Sequence, residues 1–178
     1  PDGLAGGAIP IGARIVAVSD SKGAVYKPEG LDLKKLLAVK KQKGSVAEYP
    51  AGRKTSGAEL LELPVDVLIP AALPDTVNDK NVSKIKAKII VEGSNIPIEP
   101  KYEEILHQKG ILVVPDLIAN AGGVISSYAE HKGWGAQKMF KLVKEKITKN
   151  MELVLKTALH QNEAPRQAAE KIARERLK

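Results

Sequence analysis

The sequence predicts an α/β fold: a mostly parallel sheet flanked by helices, with a helical C-terminal extension. Three observations carry this. Four short aliphatic runs are separated by helical or turn-rich connectors, the pattern of buried parallel strands joined by crossovers. The 178 residues are 43% hydrophobic but only 3% aromatic, so the core is aliphatic, which suits strands covered on both faces. From Asn120 onward the apolar residues recur at three- and four-residue steps. The length suffices for one core plus a helical appendage.

The elements follow in order. "ARIVAVSD", Ala13 to Asp20, is the first strand, and "SKGAVYKPEG" turns over Gly23, Pro28 and Gly30. "LDLKKLLAVKKQKG" places Leu33, Leu36, Leu37 and Lys40 at helical spacing and stops at Gly44, a C-cap signal. "SVAEYPAGRKTSG" reads as loop with room for one short extended piece, and Thr55 or Ser56 offers an N-cap for a short helix. "VDVLIPAAL", Val65 to Leu73, is the second strand, and "PDTVNDKNVSKIK" a turn with a short helix. "AKIIVEGSN", Ala87 to Asn95, is the third. A helix opens near Pro100 with acids in its first turn and ends at Gly110. "ILVVPD", Ile111 to Asp116, is the fourth strand. The helical tail is interrupted at Gly133–Gly135 and around Pro165. Between those breaks Met139, Leu142, Val143, Ile147, Met151, Val154 and Ala158 form one apolar stripe under a basic face.

Bulk chemistry narrows the function. The net charge is +7, but the bases interleave with acids, as in "KLVKEKITKN", and stacking aromatics are scarce, so a solvated helical surface is favoured over a nucleic-acid site. The absence of cysteine excludes disulfides and thiolate chemistry and fits a reducing, cytoplasmic setting. No apolar run nears the roughly 20 residues of a membrane span, and "PDGLAGGAIPIG" has no signal-peptide pattern. His107, His131 and His160 show no metal-ligand spacing, and no nucleophile motif, P-loop or paired carboxylates stand out.

Ligands of open parallel sheets bind outside the carboxyl ends of the strands. Those ends read Ser19-Asp20-Ser21, Pro70-Ala71-Ala72, Glu92-Gly93-Ser94-Asn95, and Pro115-Asp116 followed by Asn120-Ala121-Gly122-Gly123. Together they outline a cleft with small walls and a few hydrogen-bonding groups. Asp20 suits a ribose diol or a turn cap. Asn95 and Asn120 suit a carboxamide, or a turn before Pro97 and the N-cap of the following helix. Gly122 and Gly123 open a helix start to a ligand, or allow close packing. Ser127 faces a substrate carboxylate, or bonds back to its own helix.

The segments "GARIVAVSDSKGAVYKPEGLD", "ELLELPVDVLIPAAL", "IKAKIIVEGSNIP" and "ILHQKGILVVPDLIANAGGVISSYAE" resemble, in order and spacing, the cofactor domain of the glutamate dehydrogenases, within the Glu/Leu/Phe/Val dehydrogenase family. The likeness runs from about Gly12 to Glu130 and continues loosely through the C-terminal helices. It implies a Rossmann-like fold, with an incomplete dinucleotide-binding domain over residues 1–130 and helices of residues 131–178 packing on it. It implies NAD or NADP as cofactor. Ser19, Asp20, Ser21 and Lys22 would lie by the adenine ribose, and Ala71 and Ala72 under the pyrophosphate and nicotinamide ribose. Asn95 and Asn120 would hold the nicotinamide, and Ser127 would contact substrate. The family's reaction is oxidative deamination of L-glutamate to 2-oxoglutarate and ammonia, usually in hexamers.

Three departures qualify this. The family's first βα unit, with its Gly-x-Gly-x-x-Gly turn, should precede "GARIVAVSDS", where only "PDGLAGGAIPI" stands. "HKGWGAQK", between Glu130 and Met139, is shorter than the family pattern. The family's substrate domain with its catalytic lysine and aspartate is also not in these residues, so no catalytic residue is assigned. The chain is therefore expected to be the cofactor-binding part of such an enzyme, pairing with a substrate domain or full-length relative. The alternative is a non-catalytic, related nucleotide-binding or regulatory module. Absence of the first βα unit would expose a sheet edge and favour homo-oligomerisation.

Overall fold

The computed structural model describes residues 12–178. "GLAGGA", Gly3 to Ala8, lies outside the described residues. The chain divides into two compact units, one ending at Leu63 and the other running from Pro64 to Lys178.

Among the described residues, the first unit holds a three-stranded antiparallel sheet and two α-helices. β1, Ala17–Asp20, turns through Ser21 and Lys22 into β2, Gly23–Tyr26, pairing Asp20 with Gly23 and Ala17 with Tyr26. β2 then pairs antiparallel with β3, Arg53–Thr55. This corrects the reading of Ala13–Asp20 as a parallel strand followed by a turn. Gly23 opens a strand, and the β-branched and aromatic pair Val25–Tyr26 continues it. A two-residue loop then leaves only antiparallel pairing possible.

α1, Leu33–Lys43, starts at Asp32, whose side chain accepts from Lys35 N at 3.1 Å. It ends at Gly44, left-handed at φ 77°, whose N–H donates to Lys40 O at 2.8 Å. Leu36 on its inner face packs with Val25, Leu31, Val46 and Tyr49. α2, Gly57–Leu61, begins with a complete capping box between Ser56 and Glu59.

The second unit holds the parallel sheet. β4, Val67–Leu68, pairs with β5, Ile89–Val91, which pairs with β6, Leu112–Val114. All three lie inside the predicted second, third and fourth strands. The fold is thus α/β with one parallel and one antiparallel sheet, not a mostly parallel one.

α3, Pro100–Gln108, connects β5 to β6 with Pro100 in its first turn, where a missing N–H is harmless. α4, Asp116–Ala119, and α5, Gly122–His131, follow β6. α6, Ala136–Gln161, and α7, Pro165–Glu175, are separated by Asn162 in the left-handed region. Both breaks fall where glycine and proline predict them. Val154 and Ala158 of the α6 stripe are buried with Ile118, Ala168 and Ala169, while Ile147, Met151 and Ile172 pack around them. Burying such a stripe, rather than helix propensity, fixes α6 and α7 in place.

Candidate functional site

The candidate site is built on the carboxyl ends of β4, β5 and β6, all within the second unit. The three loops are knitted together. Gly93 N and Ser94 N both donate to Pro70 O, at 3.0 and 3.1 Å. Ser94 Oγ donates to Leu73 O at 3.1 Å. Ala71 sits so close to Gly93 that a Cβ at position 93 would stand 2.9 Å from Ala71 Cβ. Small residues at these strand ends are therefore required by the mutual approach of two loops. Ala71 and Ala72 remain exposed.

Asn95 and Asn120 meet. Asn120 Nδ2 donates to Asn95 Oδ1 at 2.7 Å. Asn120 is the C-cap of α4, and α5 has Ala121 at its N-cap with no side-chain bond. This corrects the helix-cap alternative for Asn120: its amide is turned to the neighbouring loop. The pair leaves Asn95 Nδ2 and Asn120 Oδ1 without hydrogen-bond partners among the described residues, one donor and one acceptor on two bonded side chains. Asn95 is followed by Ile96 at φ 44°, a conformation that is rare for a β-branched residue and costs about 1–3 kcal/mol.

What holds that strained loop is a buried charge cluster. Ile96 N donates to Asp116 Oδ2 at 2.8 Å. Asp116 Oδ1 accepts from Arg166 at 2.8 Å, and Asp116 N donates to Glu92 Oε2 at 2.9 Å. Glu92 Oε2 also accepts from Arg166 at 3.0 Å, and Glu103 Oε1 accepts from Arg166 Nε at 2.5 Å. Glu92 is fully buried, and Glu103, Asp116 and Arg166 nearly so.

Burial and the nearby charge of Glu103 push the Glu92 carboxyl up to about 8, so it is largely protonated at neutral pH. Burial also raises Glu103, against the pull of Arg166. Burial works the same way on Asp116, but hydrogen bonds from Ile96 and Arg166 outweigh it and hold Asp116 below the usual range.

In the sequence, Glu103 is one of the acids near the start of the Pro100 helix, suited to its dipole, and Arg166 belongs to no motif. A signal was present: Arg166, Ala169 and Ile172 fall three residues apart, which puts Arg166 on the apolar face of α7.

Ser127 Oγ donates to Gly123 O at 3.2 Å, and Ser126 Oγ to the same carbonyl at 2.8 Å. Ser127 is exposed. Packing does not demand glycine at either helix-start position. A Cβ at Gly122 would make only ordinary contacts, at 3.5 Å or more, and one at Gly123 would meet nothing within 4 Å. In the first unit, Asp20 accepts from Lys22 N at 3.0 Å, Ser45 Oγ at 3.0 Å and Val46 N at 2.8 Å. Burial raises its pKa, but these bonds prevail and hold it below its ordinary value. Ser19, Ser21 and Lys22 are exposed beside it.

The profile of the Glutamate/Leucine/Phenylalanine/Valine dehydrogenase family matches residues 4–178. The chain belongs to this dehydrogenase family. Its curated relatives include the glutamate dehydrogenase of Aeropyrum pernix, 45% identical over 94% of this chain and 42% of that protein. The glutamate dehydrogenase of Thermotoga maritima is 52% identical over 67% of this chain and 29% of that protein. Among solved structures, the hetero-hexameric glutamate dehydrogenase of Thermus thermophilus superposes with a TM-score of 0.83 at 29% identity, over 98% of this chain and 42% of that one. The chain thus spans less than half the length of these relatives. No helix among its described residues is long and apolar enough to cross a membrane.

Proposed function

We propose that this chain is the cofactor-binding part of an NAD- or NADP-dependent glutamate dehydrogenase, with the nicotinamide end of the dinucleotide held at the Asn95–Asn120 pair. The observation that carries the reading is that pair itself. It offers a donor and an acceptor on two bonded side chains at the carboxyl ends of β5 and β6, complementary to a carboxamide. Residues present here therefore fit the nicotinamide group. When bound, that group supplies hydride acceptance and donation. The chain's own residues bind and orient it.

Ala71 and Ala72, both exposed, are proposed under the pyrophosphate and nicotinamide ribose, and Gly123, with nothing within 4 Å of a Cβ, leaves the first turn of α5 open. Ser19, Asp20, Ser21 and Lys22 are proposed at the adenine ribose, and Ser127 at the substrate carboxylate. Membership of the family supports glutamate as substrate, a substrate domain as partner and an oligomeric assembly.

Calorimetric titration of the chain with NAD and with NADP tests this. Saturable binding at micromolar to low-millimolar concentration is expected, with Asn95→Ala and Asn120→Ala each weakening it. No binding of either cofactor by the wild-type chain overturns the reading. Asp20→Ala separates the ribose assignment from a structural one. Loss of its bonds to Ser45 and Val46 would disturb both cofactors alike, whereas a lost ribose contact weakens NAD more than NADP.

A further inference from the structure

We propose that Arg166, from α7, is the positioning residue for the Asn95–Asn120 pair, a role that rests on the nicotinamide reading above. Arg166 makes no hydrogen bond to either asparagine; its bonds go to Glu103, Glu92 and Asp116. It acts through Asp116, which it grips through Oδ1 at 2.8 Å, leaving Oδ2 to hold the Ile96 amide at 2.8 Å. Ile96 directly follows Asn95 and occupies the left-handed region at φ 44°. It stays there because its N–H has a fixed, charged acceptor.

The same aspartate opens α4, its Oδ1 accepting from Leu117 N at 2.8 Å, and α4 ends at Asn120. A closed ring results: Asn95, Ile96, the Asp116 carboxylate, the single turn of α4, Asn120, and back to Asn95 through the 2.7 Å amide bond. Arg166 sits at its base, oriented by Glu103 at 2.5 Å and Glu92 at 3.0 Å. Glu92 in turn receives the Asp116 N–H at 2.9 Å.

The planar guanidinium is what this geometry needs. One terminal nitrogen bridges Asp116 and Glu92 while Nε faces Glu103. A lysine ammonium keeps the charge but not the fork. The groups facing one another in the cluster are Glu92 beyond β5, Glu103 of α3, Asp116 of α4 and Arg166 of α7. Ionisation of Glu92 near pH 8 adds a charge that competes with Asp116 for Arg166, so the ring should respond to pH there.

The test uses the full chain and two readouts. The first is the Ile96 backbone amide and the Asn95 and Asn120 side-chain NH2 signals by 1H–15N NMR, without ligand, from pH 6 to 9. The second is affinity for NAD and for AMP, which has no nicotinamide. Arg166→Lys should move all three sets of signals and weaken NAD by about tenfold or more, the usual loss when a residue that orients a binding group is removed. AMP affinity should stay within about twofold, since only the nicotinamide end is disturbed.

Leu106→Ala, a core change outside the cluster, should lower thermal stability but leave the signals and NAD affinity in place. The wild-type signals should titrate with a midpoint near 8, and Glu92→Gln should abolish that titration. Unmoved signals in Arg166→Lys, or equal losses of NAD and AMP, overturn the positioning role. If the wild-type chain binds no NAD, the nicotinamide reading fails, and the signals alone decide whether Arg166 sets the pair.

Discussion

A methyl group added at Gly93 would stand 2.9 Å from Ala71 Cβ and 3.4 Å from Ala71 Cα and Ile69 Cγ2. None of these atoms is the tip of a flexible side chain, so the loops would have to part. Gly93→Ala should destabilise the chain by about 1–3 kcal/mol, the usual penalty for overpacking, read by urea denaturation. An unchanged midpoint would mean that the two loops do not approach as closely as described. Gly123 is the informative contrast, because nothing stands within 4 Å of a Cβ there. Alanine at a helical position gains up to about 1 kcal/mol over glycine. Gly123→Ala should therefore hold or raise stability while lowering NAD affinity if the open first turn of α5 serves a ligand. Stability gained with affinity unchanged would remove the ligand as the reason for that glycine. The sequence could pose this question at Gly122 and Gly123 but not resolve it, since what surrounds a Cβ is a tertiary fact.

Among the elements, features written in neighbouring residues were legible and features set by distant partners were not. The Ser56 cap, the Gly44 stop, the Pro100 start and the breaks before Ala136 and Pro165 all appear where expected. Each depends on a handful of adjacent residues. The three parallel strands were legible because β-branched aliphatic runs flanked by turns have few other uses. The hairpin of β1 and β2 was not. By sequence Gly23 is punctuation; in the fold it opens the second strand of an antiparallel pair. Likewise Asn95 and Asn120 share a role in the sequence, but their direct bond does not show there, and the Arg166 cluster joins residues 50 and more positions apart. The local logic can be tested at α2. Ser56→Ala removes the hydroxyl that accepts from Glu59 N and leaves the backbone bond to the Glu59 carboxylate; it should cost about 1 kcal/mol, seen as faster hydrogen exchange at Glu59 and Leu60. Unchanged exchange would show that packing of Leu61, not the cap, holds this helix.

Across the whole molecule, the two units carry carboxylates, partly buried Asp20 and fully buried Glu92, whose shifts have opposite signs, and stability should therefore depend on pH differently in each. Asp20 in the first unit is held below its ordinary value of 3.8. Its folded form binds fewer protons than the unfolded form in acid, so its contribution is present above about pH 4 and is lost as pH falls through the folded value. Between pH 5 and 9 it is constant. Glu92 in the second unit is raised from 4.5 to about 8. Its folded form keeps a proton that the unfolded form has released, so its contribution is complete below pH 4.5 and declines as pH rises through 8. Asp116, in the same unit, is lowered and changes nothing above pH 5. From pH 5 to 9 the second unit should lose stability while the first does not. Native-state hydrogen exchange, corrected for base catalysis, reads the two separately. The free energies of opening at Val25 and Leu36 should stay level, while those at Ile90 and Val113 should fall and level off above about pH 8. Glu92→Gln should flatten that decline. A parallel fall at all four amides would mean that the Glu92 cluster does not set the pH response of the second unit.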